Sequence, residues 1–183
     1  MPADRDSRIT IEPYDPGWPA AFAYEARALR AAFGPLALRI EHVGSTSVPG
    51  LPAKPVIDIQ ISVGSLAQLT RFTAALAQIG YTRMPMGDFD LVYPFFQKPA
   101  TWPSTHHVHL CELGGEQERR HLAFRDYLRD HAGVADDYVA LKRRLAAESE
   151  DATPESRERY SLAKSEFVEA VLLDAFRAGY PRS

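Results

Sequence analysis

A single cysteine in 183 residues, Cys111, excludes an internal disulfide and any multi-cysteine zinc knuckle. No apolar run approaches the roughly 20 residues that a membrane-spanning helix needs, and the charged opening Met1–Thr10 lacks a signal-peptide pattern. Positive charge is not in excess. The 21 Lys and Arg are set against 24 Asp and Glu, a net charge of −3, which gives no bulk electrostatic reason to bind nucleic acid. Internal repeats and low-complexity tracts are missing as well. With 45% hydrophobic and 25% charged residues, the chain reads as a soluble cytoplasmic protein with one proper core, or one domain plus a helical appendage.

Charge divides the chain. Residues 1–112 hold 9 Lys/Arg and 10 Asp/Glu, whereas the shorter stretch 113–183 holds 12 and 14. The pattern changes at Gly114-Gly115 from mixed elements to helices. Before that boundary, Arg8 to Glu12 alternates as a short strand, and Trp18 to Phe33 spaces Phe22, Leu29 and Phe33 along one helical side. Leu38 to Val43 reads as a strand. Pro55 to Val63 is the clearest strand, with Ile57, Ile59, Ile61 and Val63 on one face and Asp58, Gln60 and Ser62 on the other. Ser65 caps a helix ending at Gly80. Strands then follow near Tyr81–Met84, Leu91–Gln97 and His106–Glu112. After the boundary, three helices are expected. The first carries Phe124, Tyr127, Leu128 and His131, the second Val134, Tyr138, Leu141 and Leu145. The third, entered through Thr153-Pro154, carries Tyr160, Ala163, Phe167 and Val171.

The chemistry concentrates between Ile40 and Ile59. A strand delivers Gly44-Ser45-Thr46-Ser47 at its end, where a bare glycine lets backbone N–H groups approach an anion and hydroxyls add donors. Lys54 follows with a positive charge, and the returning strand bears one carboxylate, Asp58, among apolar neighbours. That order suits a phosphate cradle followed by a metal-holding carboxylate. It is not a P-loop, because Gly44 and Gly50 are one residue too far apart and no lysine follows. The Rossmann Gly-x-Gly-x-x-Gly is absent too.

The segment Glu41-His-Val-Gly-Ser-Thr-Ser-Val-Pro-Gly-Leu-Pro-Ala-Lys-Pro-Val-Ile-Asp-Ile59 resembles the signature of GrpB-like proteins, a family placed in the nucleotidyltransferase superfamily of the DNA polymerase β type. The likeness extends upstream to Tyr14, Trp18, Phe22 and Glu25. Downstream it takes in Phe95 to Lys98, His106 to Leu110, His121 to Leu128, and Tyr160 with Lys164. It implies that Gly44 and Ser45 hold nucleotide phosphates and that a strand presents Asp-x-Asp to Mg²⁺. Here the first position is Asp58 but the second is Gln60. The strand expected to bring a third carboxylate reads His107-Val-His109-Leu-Cys111-Glu112. A neutral amide is a weak ligand for a hard cation and no base. Three options stay open: one metal ion, a softer metal such as Mn²⁺ or Zn²⁺ on His107 and His109, or nucleotide binding without transfer.

The remaining candidates follow from position. His42 lies two residues before Gly44 and is a candidate phosphate contact, with Glu41 on the opposite strand face as a reserve carboxylate. Lys98 follows an aromatic pair. Lys164 sits one helical turn from Tyr160, and the resemblance has it reach back to the site. Arg119, Arg120 and Arg125, interspersed with acidic residues, read as a solvated face. Trp18, Phe22, Phe33 and Phe72 read as core and Cys111 as an inert buried thiol.

The expectation is therefore an α+β protein. A mixed nucleotidyltransferase-type sheet with covering helices spans residues 1–113, and a helical part, 114–183, packs on it. A nucleotidyl group would pass from an NTP to an unknown small acceptor. His42, Gly44, Ser45, Thr46, Lys54 and Lys98 would bind phosphate, Asp58 and Lys164 would serve catalysis, and Asp58, His107 and His109 would hold metal, with Mg²⁺ expected first. The alternatives are a catalytically lapsed module that binds a nucleotide or another phosphorylated small molecule, and a His/Asp metal-dependent hydrolase.

Overall fold

The computed structural model describes residues 9–148 and 154–182. Helix α1, Trp18–Phe33, ends where Gly34 takes a φ of 57° that other residues avoid. Strand β1, Arg39–Val43, leads through the 3₁₀ turn Ser45–Ser47 and an irregular loop to β2, Ile57–Val63. Ser65 caps the next turn by accepting from the Ala67 N–H, and α2, Leu69–Gln78, follows. The strands β3, Thr82–Met84, β4, Phe95–Lys98, and β5, His106–Glu112, complete one five-stranded sheet in the order β1-β2-β5-β4-β3. Only β2 and β5 run parallel; the other pairs are antiparallel. The helices after Gly115 are α3, Glu116–Asp130, α4, Ala132–Glu148, α5, Pro154–Ala163, and α6, Ser165–Arg177. This is the α+β mixed-sheet architecture expected.

Alternation decides what each sheet face does. Ile57, Ile59, Ile61 and Val63 of β2, with Val108 and Leu110 of β5 and Phe96 of β4, bury against Leu29 and Phe33 of α1 and Phe72 and Leu76 of α2. The other face of β2 and β5 carries Asp58, Gln60 and Ser62 beside His107, His109 and Cys111. That polar face is covered by α3, which Glu118 ties down. One Glu118 carboxylate oxygen accepts from Ser62 Oγ at 2.5 Å and the other from the Gly114 N–H at 2.6 Å. Two smaller clusters join the helices to one another and to the loop after β1, where Val48 and Leu51 pack on Leu128, Tyr138 and Val139.

Three readings change. The N-terminal strand reduces to a single bridge, Glu12 to Ala53, because Ala53 lies between Pro52 and Pro55 and offers no run to pair with; Arg8 and the Met1–Ser7 opening lie outside the described residues. The strand expected from Leu91 begins at Phe95. The third C-terminal helix is two, broken at Lys164; its Thr153 cap also lies outside the described residues. Trp18, Phe33 and Phe72 are buried as expected, and burial pushes the Cys111 thiol up to about 12.

Candidate active site

The site is built where β1 hands over to the phosphate-loop candidate. Val43 pairs with Asp58 across the β1–β2 ladder, so the next residue, Gly44, lies against that carboxylate. Gly44 has φ 69°, and a Cβ there would come within 2.3 Å of Asp58 Oδ2. Glycine is needed twice over, for the dihedral and for the approach. The three hydroxyls that follow have different tasks. Ser47 Oγ donates to Gly44 O at 2.6 Å and Thr46 Oγ1 donates to Val56 O at 3.0 Å, so both stabilise the turn itself. Ser45 and Thr46 both line the cleft, and the Ser45 hydroxyl accepts from Lys142 Nζ at 3.1 Å. The helical part holds this loop from outside, since the Arg129 guanidinium donates to Ser47 O and Lys142 donates to Pro52 O at 2.6 Å.

Asp58 and the histidines expected to share a metal do converge, but on one another. His107 Nδ1 lies 3.1 Å from Asp58 Oδ1, and its other nitrogen, Nε2, lies 2.8 Å from Ser104 Oγ. With Nδ1–H donating to the carboxylate, Nε2 accepts the Ser104 proton, and neither ring nitrogen is left for a cation. His109 Nε2 is 4.0 Å from the same oxygen, and the ring stacks on Tyr93 and Phe95 at 4.7 and 5.0 Å. Burial pushes the Asp58 carboxyl up, but the hydrogen bonds and charge of His107 and His109 outweigh it and hold the group well below the ordinary carboxylate range. Burial pushes His109 down. Gln60, where the resemblance implies a second carboxylate, is fully buried and accepts from His121 Nδ1 at 2.6 Å. His121 Nε2 in turn receives the Tyr93 hydroxyl. Burial brings His121 down to about 3, so this chain of bonds is neutral. Among the described residues, no three His, Cys, Asp or Glu side chains are placed to hold a metal ion.

Two adjoining cavities meet at this point. The first, about 350 Å³, is lined by Lys54, Lys142 and Lys164 and by Phe95, Trp102 and Tyr160. The second, about 330 Å³, runs under α3 and α6 between Arg120 and His121 and the apolar Phe124, Val168 and Leu172. Ser45, Asp58, Tyr93, His109 and Lys164 line both. Lys54 and Lys164 lie 4.1 and 4.7 Å from the Tyr160 ring centre, a geometry in which ring and ammonium attract.

Not every expected residue is here. His42 is on the opposite sheet face, register partner of Ile59, stacked on Phe22 with Nε2 3.0 Å from Thr46 Oγ1. Burial lowers it to about 4. Lys98 is also on that face, paired with Glu25 at 2.9 Å. Arg125 is not a solvated residue: it is largely buried and pairs with Asp126 and Glu41, each at 2.7 Å. In the other direction, Lys142, Tyr93 and Ser104 join the site although sequence reasoning passed them over. The signal for Lys142 was present, since Tyr138-x-x-x-Lys142 repeats the spacing of Tyr160-x-x-x-Lys164, and in each pair the ammonium lies 4.7 Å from its own tyrosine ring.

A mixed sheet with a Gly-Ser turn at one strand end and a carboxylate on the next strand is the arrangement of a nucleotidyltransferase-type fold. The Cid1 poly(U) polymerase crystal structure with Mg and 3′-dATP bound superposes with a TM-score of 0.51 over 79% of this chain and 46% of that one, at 15% identity, a likeness of fold alone. Within that class, the chain belongs to the GrpB protein family, which matches residues 8–173. The crystal structure of conserved protein GrpB from Enterococcus faecalis is 35% identical and superposes with a TM-score of 0.80 over 92% of this chain and 98% of that one. The YqkA protein of Bacillus subtilis is 37% identical over 171 residues, 93% of this chain, which spans about half (48%) of that relative's length. No helix of the described residues is long and apolar enough to cross a membrane.

Proposed function

We propose that this chain transfers a nucleotidyl group from a nucleoside triphosphate to a small acceptor held in the second cavity. One observation carries the reading: a single ionised carboxylate, Asp58, stands where a lysine-rich cavity and an amphipathic one meet. Ser45, Lys54, Lys142 and Lys164 receive the phosphates, and the aromatic wall of Trp102, Tyr160 and Phe95 receives the nucleoside. An acceptor hydroxyl entering beside Arg120 and His121 attacks the α-phosphorus and releases its proton to solvent, while the bond to the bridging oxygen breaks and pyrophosphate leaves toward the lysines. A carboxyl held this low is a poor proton acceptor; Asp58 orients the attacking oxygen and attracts a cation instead.

The donor set bears on the metal. Mg²⁺ is commonly held by one or two carboxylates plus the substrate's own phosphates, so Asp58 fits a single Mg²⁺ or Mn²⁺ brought in with the nucleotide. Such an ion supplies charge neutralisation of the polyphosphate. A Zn²⁺ centre on His107 and His109 does not fit, because both nitrogens of His107 are engaged.

The test is thermal unfolding of metal-stripped protein with each of the four ribonucleoside triphosphates, with and without Mg²⁺. At a hundredfold excess over Kd, mass action raises the midpoint by about 5 to 10 °C for a chain of this size. The expected result is a Mg²⁺-dependent rise with at least one triphosphate, lost in Asp58→Ala and in Asp58→Asn. A rise that needs no metal and survives both substitutions identifies a binding module instead. No rise with any triphosphate overturns the reading.

A further inference from the structure

Lys142 has an unusual position for a lysine. Its Cα lies on α4, but the ammonium reaches the loop after β1 and donates to Pro52 O and Ser45 Oγ at 2.6 and 3.1 Å, above the Tyr138 ring. The residue is 3% exposed. Charges come at it from each packed element: Lys164 from the break between α5 and α6, Arg143 on its own helix, Asp58 from β2, and Lys54 from the loop before β2. Tyr138 and Tyr160 are the titratable rings beside it. Among the described residues neither Lys142 nor Lys164 forms an ion pair, so a buried and a half-buried ammonium share this corner with no described carboxylate in contact.

An ammonium stripped of water without a counter-charge is costly, and shedding its proton is the cheapest relief. Burial, followed by repulsion from Lys164 and Arg143, brings Lys142 down to about 7, with Asp58 pulling the other way and Lys54 adding to the fall. A polyanion placed among the same groups reverses the balance, because it supplies the missing negative charge.

We propose that Lys142 is the proton-taking member of a polyphosphate subsite formed with Ser45, Lys54 and Lys164, so that the anion and a proton arrive together. The proposal rests on the phosphate reading of the cleft and goes beyond it by making binding depend on pH through one named amine. The sign follows from linkage. Binding that takes up a proton weakens as pH rises above the value of the free group, and is indifferent to this group below it. Affinity for polyphosphate therefore falls up to tenfold per pH unit above about pH 7.

Calorimetry with inorganic tripolyphosphate, run at pH 8 and pH 6 in two buffers of different ionisation enthalpy, reads the proton count directly. The variants are Lys142→Arg, which stays charged throughout, and Lys142→Met, which cannot ionise; the ligand's own ionisation cancels in each comparison. At pH 8 the unsubstituted protein is expected to take up close to one proton more than either variant, and at pH 6 almost none. Equal uptake in all three proteins overturns the proposal while leaving the phosphate site intact. Tripolyphosphate binding with uptake, without binding of any nucleoside triphosphate, keeps the subsite and overturns nucleotidyl transfer. No binding of tripolyphosphate or any triphosphate overturns both.

Discussion

Gly44 and Asp58 are closely fitted to each other. The glycine's positive φ and the 2.3 Å approach of Asp58 Oδ2 to a would-be Cβ are independent objections to any side chain. Gly44→Ala is therefore expected to cost at least about 2 kcal/mol, combining the left-handed penalty with the displacement of a half-buried carboxylate. Urea unfolding at pH 7.5 measures it, and a change under 0.5 kcal/mol contradicts the fit. Sequence reasoning marked this pair as cradle and carboxylate, because glycine before hydroxyls and a lone acid in an apolar strand are local signals. It passed over Ser104 and Tyr93, which lie outside the regular elements and contact His107 and His121 across 3 and 28 positions. Strand alternation placed His107 and His109 together, but it carries no information about which atoms their rings bond. For that reason the direct contact between His107 and Asp58 was not foreseen.

Among the elements, periodicity located α1, β2 and β5 closely, because each has one continuous buried face. It failed at Lys164. The pattern Tyr160, Ala163, Phe167, Val171 is compatible with one helix, and Lys164 itself keeps right-handed helical dihedrals, so no glycine or proline announces the break. The two sides serve different partners: Tyr160 lies beside Lys54 and Lys164 in the cleft, and Phe167 stacks on Tyr138 at 5.4 Å. The docking of α3 was equally invisible. Its anchor, Glu118, reads as one more acid on a charged helix, yet its side chain is 4% exposed and bonds Ser62 and the Gly114 N–H, with Arg39 at 3.5 Å. Replacing it by alanine leaves the buried Ser62 hydroxyl with only its 3.7 Å contact to Cys111 Sγ and takes the acceptor from the Gly114 N–H. Glu118→Ala should cost about 2 to 4 kcal/mol, whereas Arg39→Ala, at an arginine 46% exposed, should cost under about 1 kcal/mol. Similar losses from the two substitutions in chemical denaturation would mean that α3 is held by something else.

At the scale of the whole molecule, the sheet is a partition with a neutral histidine embedded on either side. His42 lies in the α1-facing layer and His121 in the α3-facing layer, so protonating either one places charge against the central strands. Burial holds His42 at about 4 and His121 at about 3, both far below the roughly 6.5 of an unfolded histidine. Between those values the unfolded chain binds more protons than the native one, so stability must fall as pH falls. The contribution of His42 alone is about 3 kcal/mol, lost progressively from pH 6.5 toward pH 4. The Asp58 carboxyl, held low in the fold, loses its own contribution only below about pH 4, which keeps the two effects in separate windows. Urea midpoints measured from pH 7.5 to pH 4.5 should thus decline steadily, and His42→Gln should make that decline shallower while lowering stability at pH 7.5. A flat profile across pH 6.5 to 4.5 would show that the imidazoles are solvated and that the partition is open to water. An unchanged decline in His42→Gln would show that His121, on the site side, dominates.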